Sequence, residues 1–237
     1  MPVNFNPWWE HIIDNYNDPE NNTDLCIAVN LGSNQADGRI RLNFKHMCAR
    51  VFANLHTDLG PEYEVRVKEI ALKDFATHGR LVFPKYATTS EVTNERLFSL
   101  WTTYTRTGPE RTFFKAVDDS YLVLGPEGFE SVPDGLYFIP IDLLPENWSG
   151  SYAGTRFEVA YKIVEKATGK TVWPDSSVEY QNIYPEDKSY YLSHVFLETA
   201  TPSSRWLPGT VYTYDLNVAF PATQIGKQML KCEAECR

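Results

Sequence analysis

The sequence has few of the features that mark nucleotide, phosphate or nucleic-acid chemistry. It contains no Walker-type phosphate loop, no G-x-G-x-x-G after a strand and no G-x-S-x-G elbow. Basic residues are outnumbered, since 22 Lys and Arg stand against 31 Asp and Glu and give a net charge of −9 without any basic cluster. Such a field repels polyanions, so nucleic acid is not expected as a partner.

Cysteine and long apolar runs are also scarce. The four cysteines are too few for a disulfide scaffold in 237 residues, and none forms a C-x-x-C pair. Cys232 and Cys236, four residues apart, are only a weak indication of a metal site or a bridge. The histidines have no H-x-H or H-E-x-x-H spacing, so neither a metal nor a cofactor is predicted. No run of about 18 apolar residues predicts a membrane-spanning helix.

Aromatic residues, in contrast, are abundant, and they make up 14% of the chain. Aromatic side chains suit strands that are buried on one face. Two segments, "RFEVAYKI" and "VYTYDLNVAF", have apolar residues at every second position and mostly polar residues between them, which predicts half-buried antiparallel strands. The predicted inward residues are Phe157, Val159, Tyr161 and Ile163 in the first segment, and Tyr212, Tyr214, Leu216, Val218 and Phe220 in the second.

Two local patterns depart from simple alternation. In "EYEVRVKEIAL" the apolar positions run through Val65 and Val67 and resume at Ile70 with the opposite parity, which predicts a β-bulge. Near the start, Asn6 can cap a helix and Pro7 suits its first position, and the apolar residues that follow have helical spacing. A short leading helix is therefore predicted before "NDPE".

Turn signals recur at intervals of roughly 10 to 25 residues, which is typical of antiparallel sandwiches. The chain is therefore predicted to be all-β. Polar and small residues interrupt the strand pattern between Phe83 and Glu95. We accordingly predict an incomplete N-terminal β-sandwich domain over residues 1–88 and a C-terminal sandwich domain over residues 89–237.

The segment "RLNFKHMCARVF" places His46 and Cys48 two residues apart on a predicted strand. Their Cβ atoms would be about 7 Å apart on one face, too far for a direct hydrogen bond, so a nucleophilic pair is disfavoured. The same parity includes Ile40, Leu42 and Phe44, which we interpret as core. Cys48 is then expected to be a buried apolar residue, and His46 a hydrogen-bonded histidine at the edge of the core.

No catalytic residues are predicted, because nothing in the sequence favours the paired carboxylates of a glycosidase or another hydrolase. The chain is expected not to be an enzyme. Trp148 in "PENWSG" and Trp206 in "SSRWLPG" have loop-like neighbours, and an exposed indole there could stack on a sugar ring or contact a partner protein. The competing interpretation is that both indoles fold back over the ends of the sandwich.

Five segments, in order, resemble the fimbrillin-like family of Gram-negative gut and oral anaerobes. They are "DLCIAVN", "LNFKHMCARV", "VKEIALKDFATHGRLVF", "LYFIPIDL" and "WLPGTVYTYDLNVAF", and the resemblance spans roughly residues 24–220. The "FKHMCARV" segment is similar to the family's FKHALARI-like strand, with Cys48 in a leucine-like position. The resemblance implies two packed transthyretin-like sandwiches of Greek-key topology. Only about forty residues precede this strand, so the first sandwich is expected to be incomplete.

The resemblance also implies a function without side-chain chemistry. The expected role is a fimbrial structural subunit or fimbria-associated adhesin at the cell surface or outer membrane. Other fimbrial subunits would be its partners, joined by addition of an extended strand to a sheet, and a host or microbial glycan or protein could be bound. The membrane would be contacted only through a lipid anchor, which, like a signal peptide, is not part of the printed sequence. The tail after Phe220 is expected to be a short helix or a loose end. The alternative is a surface glycan-binding lipoprotein module that uses Trp148 and Trp206.

Overall fold

The computed structural model describes residues 8–12, 22–30, 39, 41–83, 89–105, 110–125, 128–130, 135–143, 154–175, 190–197, 205–220 and 232–236. In chain order its strands are β1 Trp8–Ile12, β2 Cys26–Ile27, β3 Lys45–His46, β4 Ala49–His56, β5 Tyr63–Lys73, β6 His78–Val82, β7 Trp101–Thr105, β8 Glu110–Lys115, β9 Leu122–Leu124, β10 Phe129–Glu130, β11 Leu136–Phe138, β12 Arg156–Glu165, β13 Thr171–Trp173, β14 Tyr191–Phe196, β15 Val211–Asn217 and β16 Cys232–Cys236. One short helix, α1 (Asn94–Phe98), begins after Thr93, whose hydroxyl accepts a hydrogen bond from the Arg96 N–H.

Two larger sheets form the body of the molecule. In the five-stranded sheet, β10 and β11 both pair with one side of β4, β15 pairs with its other side, and β16 pairs with β15. In the six-stranded sheet, β12 lies beside β5, β13 and β14 pair with the other side of β12, and β8 and β9 pair with the other side of β5. Two smaller sheets contain β1, β6 and β7, and β2 with β3.

Aromatic rings join the two larger sheets. Phe157 on β12 meets Tyr214 on β15 edge to face, with ring centroids 5.8 Å apart. Phe113 on β8 stacks on Phe138 of β11 at 6.4 Å. Both pairs belong to one continuous buried core, and each ring adds stacking energy to the apolar area that it removes from water. The all-β sandwich predicted from the sequence is confirmed.

The predicted bulge in β5 is confirmed at Lys68. Glu69 pairs with Ala160 and Val67 pairs with Tyr161, so Lys68 is the extra residue on its strand. The bulge turns this lysine inward, where it is 8% exposed, and its ammonium donates hydrogen bonds to the backbone carbonyls of Asp118 and Ser120. A buried charge is tolerable here because those carbonyls replace water.

The sheets cross the predicted domain boundary. Strand β5 pairs with β8 and β12, and β4 pairs with β11 and β15, so strands from residues 1–88 and 89–237 share both larger sheets. One core fills the space between them. The boundary between residues 88 and 89 therefore does not separate two sets of strands in the described structure.

The two alternating segments bury the predicted faces, but the pairing of β15 with β4 does not run in the predicted direction. The four predicted inward residues of β12 are all buried, and so are Tyr212, Tyr214, Leu216 and Val218 in and after β15. Phe220 is an exception at 38% exposure. Strand β15 runs parallel to β4 along its whole length, whereas an antiparallel arrangement was predicted. Alternation shows which residues share a face and leaves the direction of the neighbouring strand open.

The leading helix was predicted wrongly. Residues Trp8–Ile12 form β1, which pairs antiparallel with β6 from Trp8 opposite Val82 to Ile12 opposite His78. A short segment with helical spacing has little helical stability of its own, and here pairing with β6 determines its conformation. Within the described residues, no helix is both long and apolar enough to span a membrane.

Candidate functional site

The outer edge of the five-stranded sheet is formed by a segment near the C-terminus. Strand β16 pairs antiparallel with β15 through five residue pairs, from Tyr212 opposite Cys236 to Leu216 opposite Cys232. The prediction of a short helix or loose end after Phe220 is therefore wrong for Cys232–Cys236. Strand β15 thus lies between a parallel neighbour from early in the chain and an antiparallel neighbour from its end.

Side chains from its own chain hold β15 firmly in place. The Tyr212 hydroxyl accepts a hydrogen bond from the Leu207 N–H at 2.8 Å and donates one to the Arg205 carbonyl at 3.1 Å. On the other side of the sheet, the Asn54 amide of β4 donates to the Asp215 carboxylate at 2.9 Å. Because β15 is fixed in this way, its outer edge is a rigid template of backbone donors and acceptors.

Of the two tryptophans predicted to contact a glycan or a partner, the structure describes only Trp206. Trp206 is fully buried: its indole packs 5.3 Å from Phe138 and its ring N–H donates to the Tyr214 hydroxyl at 2.9 Å. It has no exposed surface on which a sugar could stack, so the contact role predicted for Trp206 is wrong. The loop-like neighbours of Trp206 suggested exposure, but the buried Tyr214 hydroxyl accepts the indole N–H, so the ring can be buried without losing a hydrogen bond. Trp148 lies outside the described residues, and its role stays a prediction.

A shallow groove of about 220 Å³ lies on the outer face of the six-stranded sheet. Its charged residues form cross-strand ion pairs: Lys73 lies between Glu110 and Glu158, and the Lys115 ammonium is 3.6 Å from the Glu69 carboxylate. Each of these carboxylates has a cationic partner on a neighbouring strand. Such ladders hold strands in register, and we interpret the groove as structural.

The segment that contains His46 and Cys48 divides into an exposed and a buried half. Cys48 is 2% exposed, as predicted, and burial raises the pKa of its thiol. Leu42 and Phe44, which were predicted to be core, are 53% and 62% exposed, so that interpretation is wrong; Ile40 lies outside the described residues. The His46 side chain is also largely exposed, at 67%, although it is hydrogen bonded as expected.

The partners of His46 come from the facing strand. Strands β2 and β3 are two residues long and antiparallel, and they place Cys26 directly opposite His46. The His46 Nδ1 contacts the Asp24 carboxylate, and the same nitrogen is 3.5 Å from the Cys26 sulfur. The thiol lies 3.4 Å from the Asp24 Oδ2 atom. Three different metal-ligand types therefore meet at one point, which we call the Asp24 cluster (Asp24, Cys26 and His46).

This geometry does not suit a catalytic cysteine. In a nucleophilic triad the thiol and the carboxylate contact opposite nitrogens of the imidazole, so that one nitrogen can accept the thiol proton while the other is held. Here both contact Nδ1. Partial burial, followed by the negative charge of Asp24, raises the pKa of the Cys26 thiol, whereas a nucleophilic cysteine needs a lowered pKa.

Sequence spacing missed the Asp24 cluster because its members are far apart along the chain. Cys26 and His46 are separated by 20 positions, and no regular metal-binding spacing joins them. The only local signal was Asp24-x-Cys26, which places two ligand types on one face of an extended segment. Recognising His46 as the third member of the cluster required knowledge of which strand pairs with β2.

No protein-family model and no curated protein matches the chain. Among solved structures, the chain is similar to a candidate cell adhesion protein from Bacteroides uniformis, with a TM-score of 0.49 and 11% identity over 99% of this chain and 67% of that one. For a candidate cell adhesion protein from Bacteroides ovatus the TM-score is 0.33, with 10% identity over 84% of this chain and 46% of that one. The chain spans about two thirds of the first protein and under half of the second. At these values, neither similarity carries an argument about function.

Proposed function

We propose that the chain is a non-enzymatic subunit or adhesin of the cell surface that assembles with other subunits by strand addition at the outer edge of β15. The observation that carries the proposal is the ladder between β15 and β16. In it, a segment separated from β15 by residues 218–231 supplies the last strand of the sheet.

The ladder uses backbone groups, and this makes the strand transferable. Hydrogen bonds between main chains do not depend on which molecule supplies the second strand, so the same segment of another copy would make the same five residue pairs. If β16 leaves, β15 exposes a row of unpaired N–H and C=O groups, which is a strong template for another strand. Exchange between copies keeps the number of hydrogen bonds constant, so its equilibrium depends on protein concentration and on the geometry of the connection.

The resemblance of the sequence to the fimbrillin-like family supports this proposal, because the resemblance implies assembly of subunits by strand addition. Three of the five segments that carry the resemblance contain all of β15 and parts of β4 and β5, which are central strands of the two larger sheets. The surface location, the other subunits as partners and the lipid anchor are parts of this proposal.

The test displaces the chain's own last strand and asks whether a peptide can replace it. Hydrogen-bonded positions alternate along an antiparallel strand, so substituting two consecutive residues by proline removes at least one donor. The variant is the full chain with Ala234→Pro and Glu235→Pro. We expect a fluorescent peptide of residues 228–237, with both cysteines replaced by serine, to bind this variant and to bind the unmodified chain far more weakly.

The matched control is the same peptide carrying the two prolines, which should not bind. If both peptides bind equally, or if neither binds the variant, strand addition at β15 is wrong. Surface exposure is tested separately by protease treatment of intact cells that express the complete gene, with a periplasmic protein as the protected control. Protection of the chain in that assay would contradict the surface assignment and leave the peptide result to stand alone.

A further inference from the structure

The Asp24 cluster has donor chemistry that suits a specific class of ion. A thiolate, an imidazole nitrogen and a carboxylate oxygen are the three ligand types from which zinc sites are built. Hard ions such as Mg²⁺ and Ca²⁺ prefer oxygen alone, and the thiol would be a poor ligand for them. All three donor atoms lie within 4.8 Å of one another.

The distances within the cluster also fit a tetrahedral ion. Bonds of about 2.3 Å to sulfur and about 2.0–2.1 Å to nitrogen and oxygen place neighbouring ligand atoms about 3.3–3.6 Å apart. The Cys26 sulfur is 3.5 Å from the His46 nitrogen and 3.4 Å from the Asp24 oxygen. The imidazole and the carboxylate touch each other in a hydrogen bond. They must separate to about 3.3 Å to share an ion, and the exposed His46 ring can make that movement.

The carboxylate is held in the orientation that a ligand requires. Its Oδ1 atom accepts a hydrogen bond from the Cys48 backbone N–H at 3.3 Å, so its Oδ2 atom is directed at the cluster. The Asp24 side chain is only 11% exposed, and the Met47 N–H donates to the Leu25 carbonyl at 2.7 Å beside it. Support of this kind from a second layer of groups is typical of metal sites.

We propose that Asp24, Cys26 and His46 bind a zinc-class divalent ion through Oδ2, Sγ and Nδ1, with water in the fourth position on the exposed side. The thiol gives up its proton to solvent when the ion binds, and the imidazole binds as the neutral tautomer that carries its proton on Nε2. The ion joins β2 to β3, two strands whose backbones pair over only two residue pairs. This inference does not depend on strand addition at β15.

The test uses Co²⁺ as a spectroscopic probe and Zn²⁺ as its competitor. The background is the full chain with Cys232→Ser and Cys236→Ser, which removes the other pair of cysteines that could bind metal. Addition of one equivalent of Co²⁺ to this protein should produce a thiolate-to-cobalt charge-transfer band, and Zn²⁺ should abolish the band. Absence of the band in the background protein would overturn the proposal.

Ligand variants then identify the site. Cys26→Ser should remove the band and weaken Zn²⁺ binding by more than about 100-fold, since even losing a group that only orients a ligand costs 10–100-fold. Asp24→Asn and His46→Gln should also weaken Zn²⁺ binding. His56→Gln on β4, a histidine outside the cluster, is the control that should leave it unchanged. Far-UV circular dichroism checks whether each variant is folded, and a folded Cys26→Ser protein that keeps its full Zn²⁺ affinity would show that the assignment is wrong.

Discussion

The two halves of one segment, Arg41–His46 and Met47–His56, both carry apolar residues at alternate positions but have opposite environments. In the first half, Leu42 and Phe44 are more than half exposed, although their alternation with polar residues is regular. In the second half, alternate residues from Ala49 to Leu55 are fully buried. The difference comes from the neighbours: β4 has strands on both sides, whereas β3 pairs only with β2 among the described strands. Alternation therefore shows which residues share a face and not whether anything covers that face.

The largest test of this comparison is the same substitution in both halves. Leu55→Ala should lower the free energy of unfolding by about 2–5 kcal/mol, because it opens a cavity in the core. Leu42→Ala should change it by no more than about 0.5 kcal/mol, as exposed positions usually do. Urea unfolding of both variants measures the difference. Equal effects would mean that a neighbour covers Leu42 in solution.

A second test concerns Met47, the first buried residue after the exposed half of the segment. The Trp101 indole N–H donates a buried hydrogen bond of 3.0 Å to the Met47 carbonyl. Trp101→Phe should lower the free energy of unfolding by about 1–3 kcal/mol, since it leaves that carbonyl short of a partner and removes ring volume. The matched control is Trp173→Phe, because the Trp173 indole nitrogen is buried without a hydrogen-bond partner among the described residues. A control that loses as much stability as Trp101→Phe would assign the effect to volume alone.

A third test compares two thiols at this part of the fold, Cys26 on β2 and Cys48 just before β4. In the chain with Cys232→Ser and Cys236→Ser, and with a chelator present, iodoacetamide should modify Cys26 in the native state and Cys48 only after opening of the structure. The raised pKa of Cys26 leaves less thiolate at neutral pH, so its alkylation should be slower than that of an unperturbed cysteine and should accelerate as pH rises. Mass spectrometry of peptides measures both rates. Rapid modification of Cys48 would contradict its burial.

The smallest expected effect concerns Trp148, whose sequence setting is similar to that of the buried Trp206. If strand addition is the function, Trp148→Ala should leave any signal on a glycan array unchanged. Loss of a sugar signal in this variant, with the unfolding midpoint unaltered, would instead favour the glycan-binding alternative.

Much of the fold could be predicted because it is encoded locally. The parity change predicts a β5 bulge between Val67 and Ile70, since an extra residue must reverse the faces that follow it, and the strand pairing locates it at Lys68. The buried face of β12 follows from its alternation in the same way. In both cases a few consecutive residues contain the whole signal.

Features that depend on distant partners could not be predicted. The parallel pairing of β15 with β4 joins segments about 160 residues apart, and alternation is the same for either direction. The Asp24 cluster required the pairing of β2 with β3, and the strand at Cys232–Cys236 required β15 as its template. The burial of Trp206 depends on the Tyr214 hydroxyl, which lies eight positions further along the chain and is brought beside the indole by the turn between them.

The antiparallel pairing of β16 with β15 determines how a contact between subunits made by such a strand would respond to a pulling force. Tension applied along the axis of the outer strand acts in shear, so the hydrogen bonds of all five residue pairs are strained together. Tension across the strand would instead open them one after another, as in a zipper. A filament whose subunits were linked end to end by such strands would resist pulling along its length far better than peeling from the side.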